Sequence, residues 1–226
     1  DLAAGRGGVL AVLGEPGVGK SRLTREVELG ALERGFRWLD ARCVTYGARL
    51  PYLPLLDVVR RGLDLGAEAA GEDAEIAAAL ATIEPPETAG FLARLFGLTD
   101  PRLLGPLADL EPEAFRRGLH DAITGWCARL AAGRPVVIAI EDVHWVDASS
   151  AALVRELMVL ASGAPVLVYV TARPEDEVEA MLDTGGDAPR RLHVEPLGAD
   201  RIGALVASLL GAPAGETLLD LVTGRT

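Results

Sequence analysis

Residues Gly14-Glu15-Pro16-Gly17-Val18-Gly19-Lys20-Ser21 constrain this chain more than any other stretch. They fit G-x-x-x-x-G-K-[ST], a loop that turns its backbone N–H groups inward around phosphate oxygens. Gly14, Gly17 and Gly19 permit that turn, and the helix that follows aims its positive end at the same anion. Lys20 supplies a mobile point charge for the β- and γ-phosphates of a nucleotide, and the Ser21 hydroxyl is a natural ligand for Mg2+. The candidate phosphate-binding set is Gly14, Glu15, Pro16, Gly17, Val18, Gly19, Lys20, Ser21 and Arg22. Both flanks agree with this. Val9-Leu10-Ala11-Val12-Leu13 is the short apolar run expected of a strand buried on both faces. Leu23, Val27 and Ala31 recur at helical spacing, with Gly35 as a stop. The chain is rich in arginine, yet Lys20 is its only lysine. A compact ammonium fits between phosphates where a planar guanidinium does not.

At 226 residues the chain can bury a substantial core, enough for one large α/β domain and the start of a second. Half of it is hydrophobic, but no apolar run approaches the ~20 residues that span a bilayer, and no signal segment opens it. We therefore expect a cytoplasmic protein with no membrane contact. Cys43 and Cys127 fit no metal-ligand spacing and read as free thiols of a reducing compartment. A net charge of −11 argues against direct contact of this segment with nucleic acid. The chain begins and ends within apparent structure, and reads as a segment of a longer protein.

Further strands are expected at 36–44, 135–140, 165–171 and 191–194. Between the second and third the chain reads as helical, with breaks at Pro85-Pro86, Pro101, Pro106 and Pro112. The Ala-rich stretch 72–83 reads as a surface helix. Phe115, Leu119, Ile123, Trp126 and Leu130 keep one apolar face over four turns. A helix over 148–161 can be capped by Asp147 or Ser149, and 175–189 is a solvated loop or short helix. A helix from Asp200 should turn Ile202, Leu205, Val206 and Leu209 inward and end at Gly211, with a last helix from about Gly215. Strands alternating with helices specify a five-stranded parallel sheet with helices on both faces, the P-loop NTPase form of the α/β class. Ligands of such sheets bind beyond the carboxyl ends of the strands.

Three residues fall at those ends besides the phosphate loop. Glu141 and Asp142 close a buried strand, where one carboxylate can hold Mg2+, directly or through water, and the other can orient an attacking water. Arg173 follows a strand from the centre of the sheet, where bidentate contact with a γ-phosphate distinguishes triphosphate from diphosphate. The expected catalytic set is Lys20, Glu141, Asp142 and Arg173, with Ser21 and Glu141 on the metal. His144-Trp145 reads either as an apolar plug with a polar edge or as part of a sensing path, and His120 and His193 as packing residues.

Gly14-Glu15-Pro16-Gly17-Val18-Gly19-Lys20-Ser21-Arg22-Leu23 resembles the opening of STAND-type, AAA-like ATPase domains, as found in large LuxR-type transcription regulators and in multidomain adenylate cyclases and kinases. Glu141-Asp142-Val143-His144-Trp145-Val146-Asp147 is similar to that group's Walker B signature. Pro51-Tyr52-Leu53-Pro54-Leu55, Thr171-Ala172-Arg173-Pro174-Glu175 and Glu195-Pro196-Leu197 echo it more weakly. The resemblance implies a nucleotide core over 1–195, with a variable helical insert at about 62–110, and the start of a helical lid over 196–226. It also implies an ATP/ADP switch with Mg2+, slow ATP hydrolysis, control of attached or partner regulatory domains, and self-assembly in the ATP state. In that scheme Glu141 is the metal-side acid and Asp142 polarises water. Glu141 stands where many members have Asp, so the metal can be held through water or the two roles exchanged. Two other functions are compatible with the motifs: a free-standing kinase-like phosphotransferase, and a non-hydrolysing scaffold that retains ADP.

Overall fold

A computed structural model describes residues 2–45, 51–66, 72–183, 188–212, 215 and 218. Its strands are β1 (Gly8–Leu13), β2 (Arg37–Arg42), β3 (Val136–Glu141), β4 (Val166–Ala172) and β5 (Arg190–His193). They form one sheet in the order β2-β3-β4-β1-β5, and every pairing is parallel. All carboxyl ends therefore share one edge. Val136 to Ile140 are fully buried, as are the central residues of β4. Such unbroken apolar runs arise because helices cover both faces and no position faces water.

Alternate residues serve opposite faces. Val12, Trp38, Val137, Ala139 and Tyr169 pack against Leu23, Val27 and Ala31 of α1 (Lys20–Glu33). Leu13, Leu39, Ile138, Ile140 and Val168 pack on the other side, under α2 (Leu53–Gly62), α6 (Pro112–Gly133) and α7 (Ala148–Ala161). Between α2 and α6 lie α3 (Glu72–Leu80), α4 (Pro86–Leu95) and α5 (Pro101–Leu104). Pro86, Pro101 and Pro112 each open a helix, where the missing N–H costs nothing. After β4 comes α8 (Asp176–Leu182), and after β5 comes α9 (Ala199–Leu210).

Three expectations change. The helix read as a surface one, α3, buries Ile76 and Leu80 in the core; one apolar residue per turn suffices when alanines flank it. Among the side chains of α9 that are described, only Ile202 is buried, while Leu205 is exposed and Leu209 is 71% exposed. Among the described residues no element covers that side of α9. The fifth strand forms one residue earlier than expected, at an edge with all four residues exposed. The helix expected from Gly215 falls almost wholly outside the described residues.

Both thiols are buried, and burial pushes Cys43 and Cys127 up to about 12, with Asp147 and Asp142 adding to the rise at Cys43. A thiol so displaced stays protonated and unreactive at pH 8. We expect neither cysteine to react with a disulfide reagent in the native protein, and both to react after addition of denaturant. Fast native labelling of either would contradict this packing.

Candidate functional site

The phosphate loop joins β1 to α1 at the carboxyl edge. Gly17 and Gly19 have φ of 80° and 103°, a region that penalises any side chain. Gly14 is required by proximity instead: a Cβ there would lie 2.7 Å from the Val194 carbonyl. Lys20 is only 8% exposed, and its Nζ donates to the carbonyls of Gly14 at 2.6 Å and Glu15 at 3.0 Å. The ammonium is thus already held inside the loop. Behind it, Thr24 Oγ1 bonds the Lys20 carbonyl and lies 3.1 Å from the Tyr169 hydroxyl, tying the first turns of α1 to β4.

Across the cleft, β3 delivers the acidic pair. Glu141 continues the alternation of Val137 and Ala139, so it faces the side where α1 packs, and its Oε2 is buried without a hydrogen-bond partner. Asp142 breaks the strand by turning left-handed, at φ 57°. The Thr171 hydroxyl accepts the Asp142 N–H at 3.0 Å, replacing the ladder bond that the turn removes. The Asp142 carboxylate accepts from Arg42 through Nη2 at 2.9 Å and Nε at 3.0 Å. His144 follows in a single 3-10 turn, with both ring nitrogens buried and unpartnered. Burial, the largest influence, holds its pKa below the ordinary 6.5, so the ring is neutral at pH 7. The guanidinium of Arg173 lies 5.8 Å from the ring centre of half-exposed Trp145.

These parts enclose one cleft of about 350 Å3. Of the residues expected from sequence, Pro16, Gly17, Gly19, Lys20, Ser21, Arg22, Asp142 and Arg173 line it. Gly14, Glu15, Val18 and Glu141 do not; Gly14 and Glu15 contribute the carbonyls that hold Lys20. His144 and Trp145 do line it. Arg42 is the residue that sequence reasoning missed. Its position at the end of β2 carries no motif, and only the pairing of Arg42 with Glu141 in the β2–β3 register brings it here. Lys20, Arg22, Arg42 and Arg173 set four cations against one carboxylate in the lining, a local reversal of the chain's net negative charge. Such a surface concentrates a polyanion. A larger cleft, of about 660 Å3, lies at the amino end of β1 among Gly5, Gly7 and Gly8, with no acid or histidine among the described residues that line it.

Among the described residues no group of three or more His, Cys, Asp or Glu side chains is arranged to hold a metal ion by itself. A Mg2+ ion at the cleft would accordingly take most of its ligands from phosphate and water, as this hard cation prefers. The chain's share would be the Ser21 hydroxyl and one carboxylate. The unpartnered Glu141 oxygen fits that requirement, because a buried carboxylate oxygen without a donor is satisfied by a cation or its waters.

A parallel sheet with a glycine-rich loop after β1, an acid pair after β3 and an arginine after β4 defines the P-loop NTPase class. Within it, the chain belongs to the AAA ATPase domain family, whose sequence model matches residues 1–169. It is 32% identical over 202 residues to an uncharacterized protein of Rhizobium meliloti (strain 1021), a match covering 88% of this chain. The chain spans only 19% of that relative's length. Among solved structures it is similar to the Drosophila ORC bound to DNA, with 15% identity and a TM-score of 0.50. That match covers 92% of this chain and 42% of the other. It is also similar to a DNA replication initiation factor, with 10% identity, a TM-score of 0.44, and coverage of 97% and 50%. Among the described residues no helix is long and apolar enough to cross a membrane.

Proposed function

We propose that this domain is an ATP-binding, slowly ATP-hydrolysing switch within a cytoplasmic multidomain signalling protein, a transcription regulator of the LuxR type. The observation that carries the reading is the convergence of Lys20, Ser21, Asp142 and Arg173 on one cleft. The backbone of residues 14–19 and Lys20 bind the phosphates, Ser21 and Glu141 hold Mg2+, and Arg173 contacts the γ-phosphate. When bound, the ion neutralises charge that develops on the β- and γ-oxygens. Asp142 orients the attacking water as general base. Arg42 pairs with that carboxylate and so competes with water for Asp142. This competition supports slow or conditional turnover.

The length of the relative supports a multidomain context. Attached or partner regulatory domains would read the nucleotide state, and the ATP form would self-assemble. The ORC neighbour is bound to DNA, but a net charge of −11 favours a regulatory role for this segment without direct nucleic-acid contact. Residues 1–195 would form the nucleotide core and 196–226 the start of a lid.

A switch must bind its two nucleotides differently, since a ligand moves an equilibrium only by its differential affinity. We expect Mg2+–ATP to bind more tightly than Mg2+–ADP, and Arg173→Ala to reduce that preference by about tenfold, the worth of one charge-assisted contact. Calorimetric titration of both nucleotides measures it. A preference unaffected by Arg173→Ala would remove Arg173 from the γ-phosphate. Phosphate transfer to an added acceptor would replace the switch by a phosphotransferase, and retained ADP without turnover would leave a scaffold.

A further inference from the structure

A second polar assembly lies on the opposite side of the sheet from α1, and the nucleotide chemistry does not use it. His120 of α6 is 3% exposed, yet both ring nitrogens are engaged. Nε2 lies 3.1 Å from the Tyr52 hydroxyl, and Nδ1 lies 2.7 Å from the Glu156 carboxylate on α7. The Tyr52 ring meets the imidazole edge-on at 5.8 Å. The Tyr52 hydroxyl also faces the Ser149 side chain, in the first turn of α7. Tyr52 itself is buried at the start of α2 with φ 66°, a left-handed conformation that a bulky residue keeps only when surrounding contacts enforce it. Three helices thus meet on one imidazole.

A buried polar chain is stable only when every member is satisfied, and aliphatic side chains would fill the same space at lower cost. Its contribution is geometric, because hydrogen bonds fix direction and register where apolar contacts do not. The element it fixes is the first turn of α7. That turn is continuous with the segment bearing Asp142 and His144, through Asp147, whose carboxylate accepts from the N–H groups of Ser149 and Ser150 at 3.0 Å each.

We infer that His120 is a positioning residue for turnover: through Tyr52 and Ser149 it sets the head of α7, and so the loop that presents Asp142 and His144 to the cleft. The inference rests on the hydrolytic reading above. Where Nδ1–H donates to Glu156, Nε2 accepts the Tyr52 proton, and the tyrosine oxygen is left facing Ser149.

Tyr52→Phe deletes one hydroxyl and keeps the ring; His120→Gln keeps an amide that can still bond Tyr52; His120→Leu keeps neither. For the full chain we expect ATP affinity within about twofold of the parent and kcat about tenfold lower in Tyr52→Phe, the worth of one hydrogen bond. His120→Gln should retain more of kcat than His120→Leu. A lower melting temperature with unchanged kcat, and no difference in kcat between His120→Gln and His120→Leu, would reduce the assembly to a structural one and overturn the inference. Trp145 gives a readout independent of turnover, since Trp38 and Trp126 are buried and Trp145 lies in the loop at issue. If the parent binds ATP without hydrolysing it, the hydrolytic reading fails alone. The inference then stands if Tyr52→Phe alters the ATP-induced change in Trp145 emission, and falls if it does not.

Discussion

Lys20→Ala removes nucleotide binding while the sheet survives. The ammonium sits inside the loop on two carbonyls, and a bound nucleotide would exchange those for phosphate oxygens. Each charge-assisted bond to phosphate contributes about 1.5–3 kcal/mol. Losing two lowers affinity by at least about 100-fold. The fold does not depend on this residue, because α1 is anchored by Thr24, Val27 and Ala31 rather than by its first side chain. Titration calorimetry beside a circular dichroism spectrum tests both halves. Unchanged affinity would move the site elsewhere, and loss of the spectrum would make Lys20 structural.

Asp142→Asn separates binding from chemistry. An amide of the same shape keeps the left-handed turn and the backbone bond to Thr171, but it cannot take a proton from water. Turnover should fall by about 10²–10⁴-fold, the usual contribution of a positioned general base, while ATP stays bound. Stability should change by less than about 1 kcal/mol, because the Arg42 half of the lost ion pair is 62% exposed. Persistent hydrolysis would transfer the base role to Glu141, the exchange that the sequence leaves open.

How far the sequence reached follows from how local each feature is. The phosphate loop lies within one continuous stretch, so its glycines, lysine and serine could be assigned without any partner. The buried strands were equally legible, because a central parallel strand has no polar face and stands out as an unbroken apolar run. Pattern was less informative on α3, where alanines hide which side is buried, and on α9, where an apolar stripe does not reveal whether anything covers it.

The sequence by itself determined a parallel α/β sheet with a phosphate loop, an acid pair and an arginine at strand ends, since each of these is encoded by neighbouring residues. Only the tertiary structure decided which strands are adjacent, and everything that adjacency brings together. Arg42 reaches Asp142 across 100 residues, Thr171 reaches its N–H across 29, and Tyr52 meets His120 across 68. A hydrogen bond is a property of two groups, and spacing along the chain says nothing about a partner that arrives from another strand.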